Sequence, residues 1–201
     1  MPEISSLPAL LAQHHDGRAQ ISPAQIEVIA GVIWARAPAR LLIFGLGHDS
    51  PLWQALNPGG QTVFVEASPE WIERLRPRLP EATILPFDFA AHGSVGDAFA
   101  LPHARLAAVA MPAGLAGPWD IILVDGPAGY HMSDPGRALP LYWASRLMQR
   151  TTHVFVDDYN RALERHFADL YIRFDNPPCT VVPHEIEAGK CLLWRIGRSL
   201  P

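Results

Sequence analysis

Acidic side chains stand directly after most of the apolar runs that are typical of β-strands in this chain. The acids in these positions are Glu66, Asp88, Asp125, Asp157 and Asp158. In open α/β sheets, ligands bind beyond the carboxyl ends of the strands. Carboxylates gathered at one edge repel each other unless a cationic group lies among them. The pattern therefore predicts a ligand-binding edge at which a cationic group lies between the carboxylates.

A glycine-rich turn follows the first of these runs and precedes a short helix. Gly45 and Gly47 allow the backbone to approach a bound nucleoside closely. Glu66 follows about 20 residues later, the spacing at which a carboxylate accepts hydrogen bonds from ribose hydroxyls. The residues predicted to bind the nucleoside cofactor are Gly45, Leu46, Gly47, His48, Asp49, Ser50, Glu66, Asp88, Gly126 and Pro127.

Two cofactors use this geometry, a nicotinamide dinucleotide and S-adenosylmethionine. A dinucleotide needs free space for its pyrophosphate at the N-terminus of the helix that follows the turn. Asp49 stands at that position and would repel a pyrophosphate, whereas it suits a ligand with ammonium and sulfonium charges. The sequence therefore favours S-adenosylmethionine.

Asp125 and the Asp157–Asp158 pair follow two strands that we expect to be central and adjacent, and three roles are open to their carboxylates. One acid acts as a general base, or the acids hold Mg²⁺ or Mn²⁺ through hard oxygen ligands, or they bind the amino group of the cofactor. Of these three roles, binding of a divalent metal is an alternative that we do not favour. We favour Asp125 as the catalytic group, because its Asp-Gly-Pro turn fixes the carboxylate in the crevice.

Three further side chains are candidates for the acceptor side of the pocket. Tyr130 and Arg137 follow Asp125 in a loop rich in glycine and proline. We expect Tyr130 to close the pocket and to take part in catalysis and substrate binding. Arg137 either pairs with a carboxylate of the substrate or cofactor, or binds backbone carbonyls of its own loop. Tyr159, next to the acid pair, is a third predicted substrate-binding residue.

The elements that must position these residues alternate between apolar strands and helices. Strands are predicted over Leu41–Phe44, Thr62–Val65, Thr83–Leu85, Ile121–Val124 and His153–Val156, with Cys179–Val182 and Cys191–Ile196 as a closing antiparallel pair. Strands that are apolar on both faces are typical of a parallel sheet covered by helices. The fold class is therefore α/β, with a doubly wound, mostly parallel, Rossmann-like sheet in which Leu41–Phe44 and Ile121–Val124 are neighbours.

Helices are predicted between the strands and one stretch is irregular. One predicted helix begins at Ser22. The others cover Ser50–Leu56, Pro69–Leu79, Pro135–Gln149 and Arg161–Leu170. The stretch Ala90–Gly117 is rich in alanine, glycine and proline, which indicates a lid or an insertion.

Composition limits the class of protein. The chain has 201 residues, of which 49% are hydrophobic and 18% charged, and its net charge is −4. These values indicate one globular domain over residues 21–201, after a flexible lead-in over residues 1–20. There is no basic patch for nucleic acid and no run of about 20 apolar residues for a membrane. We therefore expect a cytoplasmic protein that binds neither nucleic acid nor membrane.

A longer set of motifs resembles the glucuronoxylan 4-O-methyltransferase family of polysaccharide-biosynthesis proteins. The matching residues are Phe44–Ser50, Trp53, Leu56–Gly60, Val65–Glu66, Pro69–Trp71, Trp119–Asp120, Val124–Pro127, Gly129–Tyr130, Pro135–Arg137, Thr152–Phe155, Asp158 and Arg161. The resemblance implies a class I S-adenosylmethionine-dependent methyltransferase and, as acceptor, the 4-hydroxyl of glucuronic acid on xylan. Members of the family carry His-Asp after the fifth strand, where this chain has Asp157–Asp158.

The favoured function is O-methyl transfer from S-adenosylmethionine to a hydroxyl of a small molecule or a sugar acid. One alternative uses the same cofactor but releases methylthioadenosine, by cyclisation of the methionine moiety to a four-membered amino acid or by aminocarboxypropyl transfer. A second alternative is a binding or scaffold protein that has lost turnover. The acids at successive strand ends argue against this second alternative.

Overall fold

A computed structural model describes residues 6–14, 17–100 and 103–198, and within these residues the strands form a single seven-stranded sheet. The strands are β1 (Arg40–Phe44), β2 (Gln61–Glu66), β3 (Thr83–Pro86), β4 (Ile121–Val124), β5 (His153–Val156), β6 (Cys179–Pro183) and β7 (Cys191–Arg195). Their order across the sheet is β3-β2-β1-β4-β5-β7-β6.

The first five strands are parallel, and the last two are not. Leu41 of β1 lies beside Thr62 of β2 and beside Ile121 of β4, so β1 and β4 are neighbours, as predicted. Strand β7 runs antiparallel between β5 and β6. The structure therefore confirms a doubly wound, mostly parallel α/β sheet with a closing antiparallel pair. The carboxyl ends of β1, β2, β4 and β5 meet at one edge, which we call the acidic edge.

Helices cover both faces of this sheet. They are α1 (Leu7–His14), α2 (Pro23–Arg36), α3 (Ser50–Ala55), α4 (Pro69–Leu75), α5 (Val95–Ala98), α6 (His103–Ala107), α7 (Ala138–Leu147) and α8 (Ala162–Tyr171), with 3₁₀ turns at Arg76–Arg78, Ala90–His92 and Ala113–Leu115. Among the described residues, none of these helices is long and apolar enough to cross a lipid bilayer.

The two faces of the sheet carry separate cores, which explains the continuous apolar runs in the sequence. Alternate residues of β1 divide between them: Leu42 and Phe44 pack with α5–α8, and Leu41 and Ile43 pack with α1–α4. Each of these four side chains is at least 98% buried. Because both faces are covered, no polar alternation appears in the central strands.

Several element predictions differ from the structure in detail. Helix α4 ends at Leu75 rather than at Leu79, and a 3₁₀ turn follows it. Part of the segment predicted to be a flexible lead-in forms α1. Leu10 of this helix is buried in the same core as the apolar residues of α2. Helix α7 begins at Ala138 rather than at position 135, because Gly136 adopts a left-handed conformation with φ of 65°. The irregular stretch 90–117 packs against the sheet through Leu106 and Leu115, so the described part of it is a layer of the core rather than a lid.

Candidate active site

The ends of β1 and β4 touch through two glycines. Gly45 has φ of 109°, and its N–H donates to the Val65 carbonyl at 2.9 Å. A Cβ added to Gly45 would lie 3.0 Å from the Gly126 nitrogen, and a Cβ added to Gly126 would lie 2.7 Å from the Gly45 Cα. Both contacts are with backbone, so neither position has space for a side chain. The sequence predicted glycine here for close approach to a ligand, and the closest approach is between the two strand ends.

Glu66, at the end of β2, is fixed by two backbone donors. Its Oε2 accepts from Leu46 N at 2.7 Å, and its Oε1 accepts from Ser68 N at 2.7 Å. The residue is 8% exposed. A carboxylate has about four lone-pair sites, so each oxygen keeps capacity for a further donor. This arrangement gives Glu66 a defined orientation at the edge where ribose hydroxyls are expected.

The turn between β1 and α3 is not a pyrophosphate cradle. The N–H groups of Gly45 and Leu46 are used as above, and that of Gly47 donates to Ser50 Oγ at 2.9 Å. Asp49 is 7% exposed at the N-terminus of α3, and a Cβ on Gly47 would come within 2.9 Å of its Oδ1. With its donors used and a carboxylate at the helix N-terminus, the turn fits S-adenosylmethionine better than a dinucleotide.

We expect Glu66→Ala to weaken binding of S-adenosylhomocysteine by about 10- to 100-fold, because hydrogen bonds to a charged group contribute about 1.5–3 kcal/mol. Isothermal titration calorimetry measures the change. Glu73→Gln on the exposed side of α4 is the control and should bind normally. Unchanged affinity in a folded Glu66→Ala variant would place the ribose site elsewhere.

The acids after β4 and β5 differ in exposure. The side chain of Asp125 is 24% exposed, whereas those of Asp157 and Asp158 are 1% and 3% exposed. Asp158 also adopts a left-handed conformation with φ of 55°, which an aspartate tolerates better than most residues. Asp125 is therefore the member of this trio that a bound molecule can reach without rearrangement. The catalytic roles predicted for Asp157 and Asp158 stay predictions that this burial does not favour.

Arg137 lies at the centre of the acid group and is 3% exposed. Its Nη2 is 3.0 Å from Asp158 Oδ2 and 3.4 Å from Asp125 Oδ1, and its Nη1 is 3.9 Å from Asp157 Oδ2. It also donates to the backbone carbonyls of Asp125 and Asp157, each at 2.7 Å. These carboxylates raise the pKa of Arg137 above its ordinary value, against the effect of burial. The geometry matches the second alternative for Arg137, an arginine bound within its own chain, and a role in substrate binding stays a prediction.

Lys190 is a site residue that the sequence reading did not include. Its Nζ lies 3.3 Å from Asp158 Oδ1 and 3.6 Å from Asp157 Oδ2, and it donates to the Gln20 carbonyl at 3.0 Å. It is 8% exposed, although lysine is almost never buried without a partner. The available signal was that Lys190 is the only lysine of the chain. Arg137 and Lys190 are buried cationic groups of the kind that the acid cluster required.

Asp125 holds its proton more tightly than an ordinary aspartate. Burial raises the pKa of this carboxyl well above its usual value, and the nearby Asp157 and Asp49 carboxylates raise it further, while Arg137 opposes them. Once ionised, a carboxyl with a raised pKa is a stronger base than an ordinary aspartate.

Two more charged side chains border the loop from Gly126 to Arg137. Glu164 of α8 is 1% exposed, its Oε1 has no hydrogen-bond partner among the described residues, and burial raises its pKa. The guanidinium of Arg161 lies 4.5 Å from the ring centroid of Tyr130 and 3.1 Å from Asp158 Oδ2. Tyr130 is 54% exposed, and its hydroxyl donates to Gln20. The loop thus presents an accessible aromatic ring beside a cation.

Four more of the predicted residues make local contacts, and their roles in binding stay predictions. Asp88 is exposed and accepts from Ala91 N at 3.3 Å, as in a local turn. The Tyr159 hydroxyl donates to Asp169 of α8 at 2.7 Å, which directs it away from Asp125. His48 packs edge-on against Trp71 at 5.2 Å. Pro127 is buried beside Gly126.

The acid cluster does not fit a metal site in its described arrangement. No group of three or more His, Cys, Asp or Glu side chains within residues 6–14, 17–100 and 103–198 is placed to hold a metal ion. Asp157 and Asp158 face Arg137 and Lys190 instead. A metal ion would have to compete with both cations for these oxygens.

Solved structures share this fold. The chain superposes with a TM-score of 0.57 on an O-methyltransferase from Bacillus cereus in complex with S-adenosylhomocysteine, at 15% identity, covering 98% of this chain and 92% of that one. For a caffeoyl-CoA O-methyltransferase of unverified activity from Staphylococcus aureus, the TM-score is 0.56 at 11% identity, with 96% and 93% covered. By strand order and by these likenesses, the fold is that of the class I S-adenosylmethionine-dependent methyltransferases.

Sequence comparison narrows the class to a family. The profile of the family described as IRX15/IRX15L/GXM matches residues 24–101 and 95–176. Glucuronoxylan 4-O-methyltransferase 1 of Arabidopsis thaliana is 33% identical over 84% of this chain and 69% of its own length, and Arabinogalactan O-methyltransferase 2 of the same plant is 36% identical over 76% and 61%. The chain belongs to the IRX15/IRX15L/GXM family. It spans about two thirds of the length of these relatives.

Proposed function

We propose that this chain transfers a methyl group from S-adenosylmethionine to a sugar hydroxyl of an acidic polysaccharide. The observation that carries the proposal is the position of Asp125, a reachable carboxylate with a raised pKa at the crevice between β1 and β4. It stands beside the Gly45–Gly47 turn and across from Glu66, the residues that favour this cofactor.

The residues divide the work between the two substrates. Glu66 would bind the ribose hydroxyls, and the turn at Gly45–Gly47 would lie against the nucleoside. When bound, the cofactor supplies a methyl group on a positively charged sulfur. Asp125 Oδ1 or Oδ2 accepts the proton of the acceptor hydroxyl, while Arg137 holds Asp125 in place through its backbone carbonyl. Methyl transfer needs little more than this positioning and removal of a proton.

Tyr130 and Arg161 support a sugar acid as the acceptor. The apolar face of a sugar ring packs on an aromatic ring such as Tyr130, and a guanidinium binds a carboxylate with two parallel hydrogen bonds. The side chain of Arg161 is 26% exposed, and its guanidinium lies over the ring of Tyr130. The names of the relatives, which act on glucuronoxylan and arabinogalactan, favour a polymer rather than a small molecule as the carrier of this sugar.

We expect incubation with S-adenosylmethionine and glucuronoxylan fragments to yield S-adenosylhomocysteine and a fragment that carries one additional methyl group. Mass spectrometry of both products is the measurement, with xylan fragments that lack uronic acid and free glucuronate as parallel acceptors. Transfer to the uronate-bearing fragment alone supports the full proposal.

Other products would contradict the proposal in different ways. Methylthioadenosine in place of S-adenosylhomocysteine would establish the cyclisation or aminocarboxypropyl chemistry. Methylation of free glucuronate at an equal rate would replace the polymer by a small molecule. Absence of cofactor binding in calorimetry would establish a scaffold protein. Loss of activity with a chelator, restored by Mg²⁺ or Mn²⁺, would show that a metal takes part after all.

A cytoplasmic location stays a prediction from the sequence.

A further inference from the structure

A charged cavity lies at the sheet edge opposite to the acidic edge. It has a volume of about 280 Å³. Its charged lining consists of Arg150, Arg195, Arg198 and Asp175, and its walls are completed by Pro177, Pro178 and Ile196. Arg195 ends β7 and pairs with Val154 near the start of β5, whereas Asp157 follows the other end of β5. The cavity is therefore separated from Asp125 by the length of the strands.

The backbone places the three arginines together. The N–H of Arg198 donates to the Arg150 carbonyl at 2.9 Å, which joins the end of β7 to the turn before β5. The Arg195 Nη1 donates to the Thr152 carbonyl at 2.8 Å and more weakly to the Gln149 carbonyl at 3.4 Å. One guanidinium is thus fixed by the fold, and two exposed ones lie beside it.

The charges in this cavity are not balanced. Among the described residues, three guanidinium groups and one carboxylate line the cavity, in a chain whose net charge is −4. The Arg195 Nε is buried without a hydrogen-bond partner among the described residues. Burial lowers the pKa of Arg195, and Arg198 lowers it further, while Cys179 and Asp175 oppose the shift. Three like charges with a single counter-charge repel each other, so an anion bound here would reduce this repulsion.

We propose that this cavity, which we call the arginine cavity, binds a small oxyanion. A guanidinium fixed by backbone carbonyls, with two exposed guanidinium groups beside it, matches the planar, two-oxygen geometry of a carboxylate, and also accepts a tetrahedral phosphate. The source is either a uronate residue of a polysaccharide chain or free inorganic phosphate. The inference concerns the opposite edge of the sheet and holds whatever reaction takes place at Asp125.

Nuclear magnetic resonance of the full chain labelled with ¹⁵N-arginine tests the inference, because the Nε–H signals of Arg195 and Arg137 report separately on the two sites. The probes are a glucuronate-bearing xylo-oligosaccharide, a neutral xylo-oligosaccharide of the same length, and inorganic phosphate. We expect the Arg195 signal to shift with an anionic probe and not with the neutral one. A shift with the uronate probe alone identifies a polymer-borne carboxylate, and a shift with phosphate identifies a free oxyanion.

Variants separate a built site from a general charge effect. Arg150→Gln/Arg198→Gln changes two exposed residues and should raise the dissociation constant at Arg195 at least about tenfold, since charge-assisted pairs are lost. The control Arg76→Gln/Arg78→Gln removes the same charge from an exposed turn and should leave the constant unchanged. An Arg195 signal that no probe shifts, or an equal loss in both double variants, would overturn the proposal. A shift confined to Arg137 would do so as well, since it would place all anion binding at the acidic edge.

Discussion

Replacing Asp125 with asparagine should slow methyl transfer at least about 100-fold, while the affinity for S-adenosylhomocysteine stays within a factor of about two. General-base catalysis contributes roughly 10²–10⁴-fold to a rate, and an amide cannot accept the proton. The substitution keeps the shape of the side chain and its backbone bond to Arg137. Binding should therefore survive while turnover does not.

The pH dependence of the wild-type rate provides a second reading of the same group. Because Asp125 is a carboxyl with a raised pKa, it becomes a base only as the pH rises through that value. The rate should fall on the acid side with a midpoint above the ordinary range of aspartate, and Asp125→Asn should lose this limb. Glu73→Gln, on the exposed side of α4, is the control and should retain full activity. A fully active Asp125→Asn enzyme would remove Asp125 from the mechanism.

Arg137→Gln should destabilise the fold by about 3–5 kcal/mol, the usual consequence of leaving a buried charge without its partner. Arg137 faces the side chains of Asp125, Asp157 and Asp158 and satisfies two backbone carbonyls. Since single domains are stable by only 5–15 kcal/mol, this loss is large. Urea denaturation followed by circular dichroism measures it.

Two further variants keep this prediction decisive if Arg137→Gln does not fold. Arg137→Lys retains the charge but not the two-pronged geometry, so it should fold with an intermediate loss of stability. Arg74→Gln removes an exposed ion pair to Glu70 and should change stability by less than about 0.5 kcal/mol. If Arg137→Gln were as stable as Arg74→Gln, the acid group would not depend on this arginine.

Most of the fold could be predicted from the sequence because its strongest signals are local. The strands are buried on both faces, so continuous apolar runs such as Ile121–Val124 identified them directly. Glu66 and Asp125 directly follow two of these parallel strands, so the sequence placed both residues at the same edge of the sheet. Helix ends were less accurate, because the conformation of Gly136 delays α7 and is not visible in its residue type.

What could not be predicted depends on contacts between distant parts of the chain. Lys190 reaches Asp157 and Asp158 only because β7 inserts antiparallel beside β5, and no spacing rule connects the two segments. The direction of a side chain was equally hidden: Tyr159 stands next to the acid pair in sequence but bonds to α8. Arg137 had two open roles until its contacts were known.

The insertion of β7 also bears on how the protein is made. Translation delivers β1 to β5, and with them Asp157 and Asp158, before Lys190 has left the ribosome. In that interval the parallel part of the sheet is able to pair, but one of the two buried cations of its acidic edge is still missing. The hairpin of β6 and β7 brings this cation in, together with the bond from Tyr159 N to the Cys191 carbonyl at 2.9 Å. This hairpin therefore closes the edge at which catalysis is proposed, so a nascent chain would acquire the complete charge arrangement of that edge only after β7 has been synthesised.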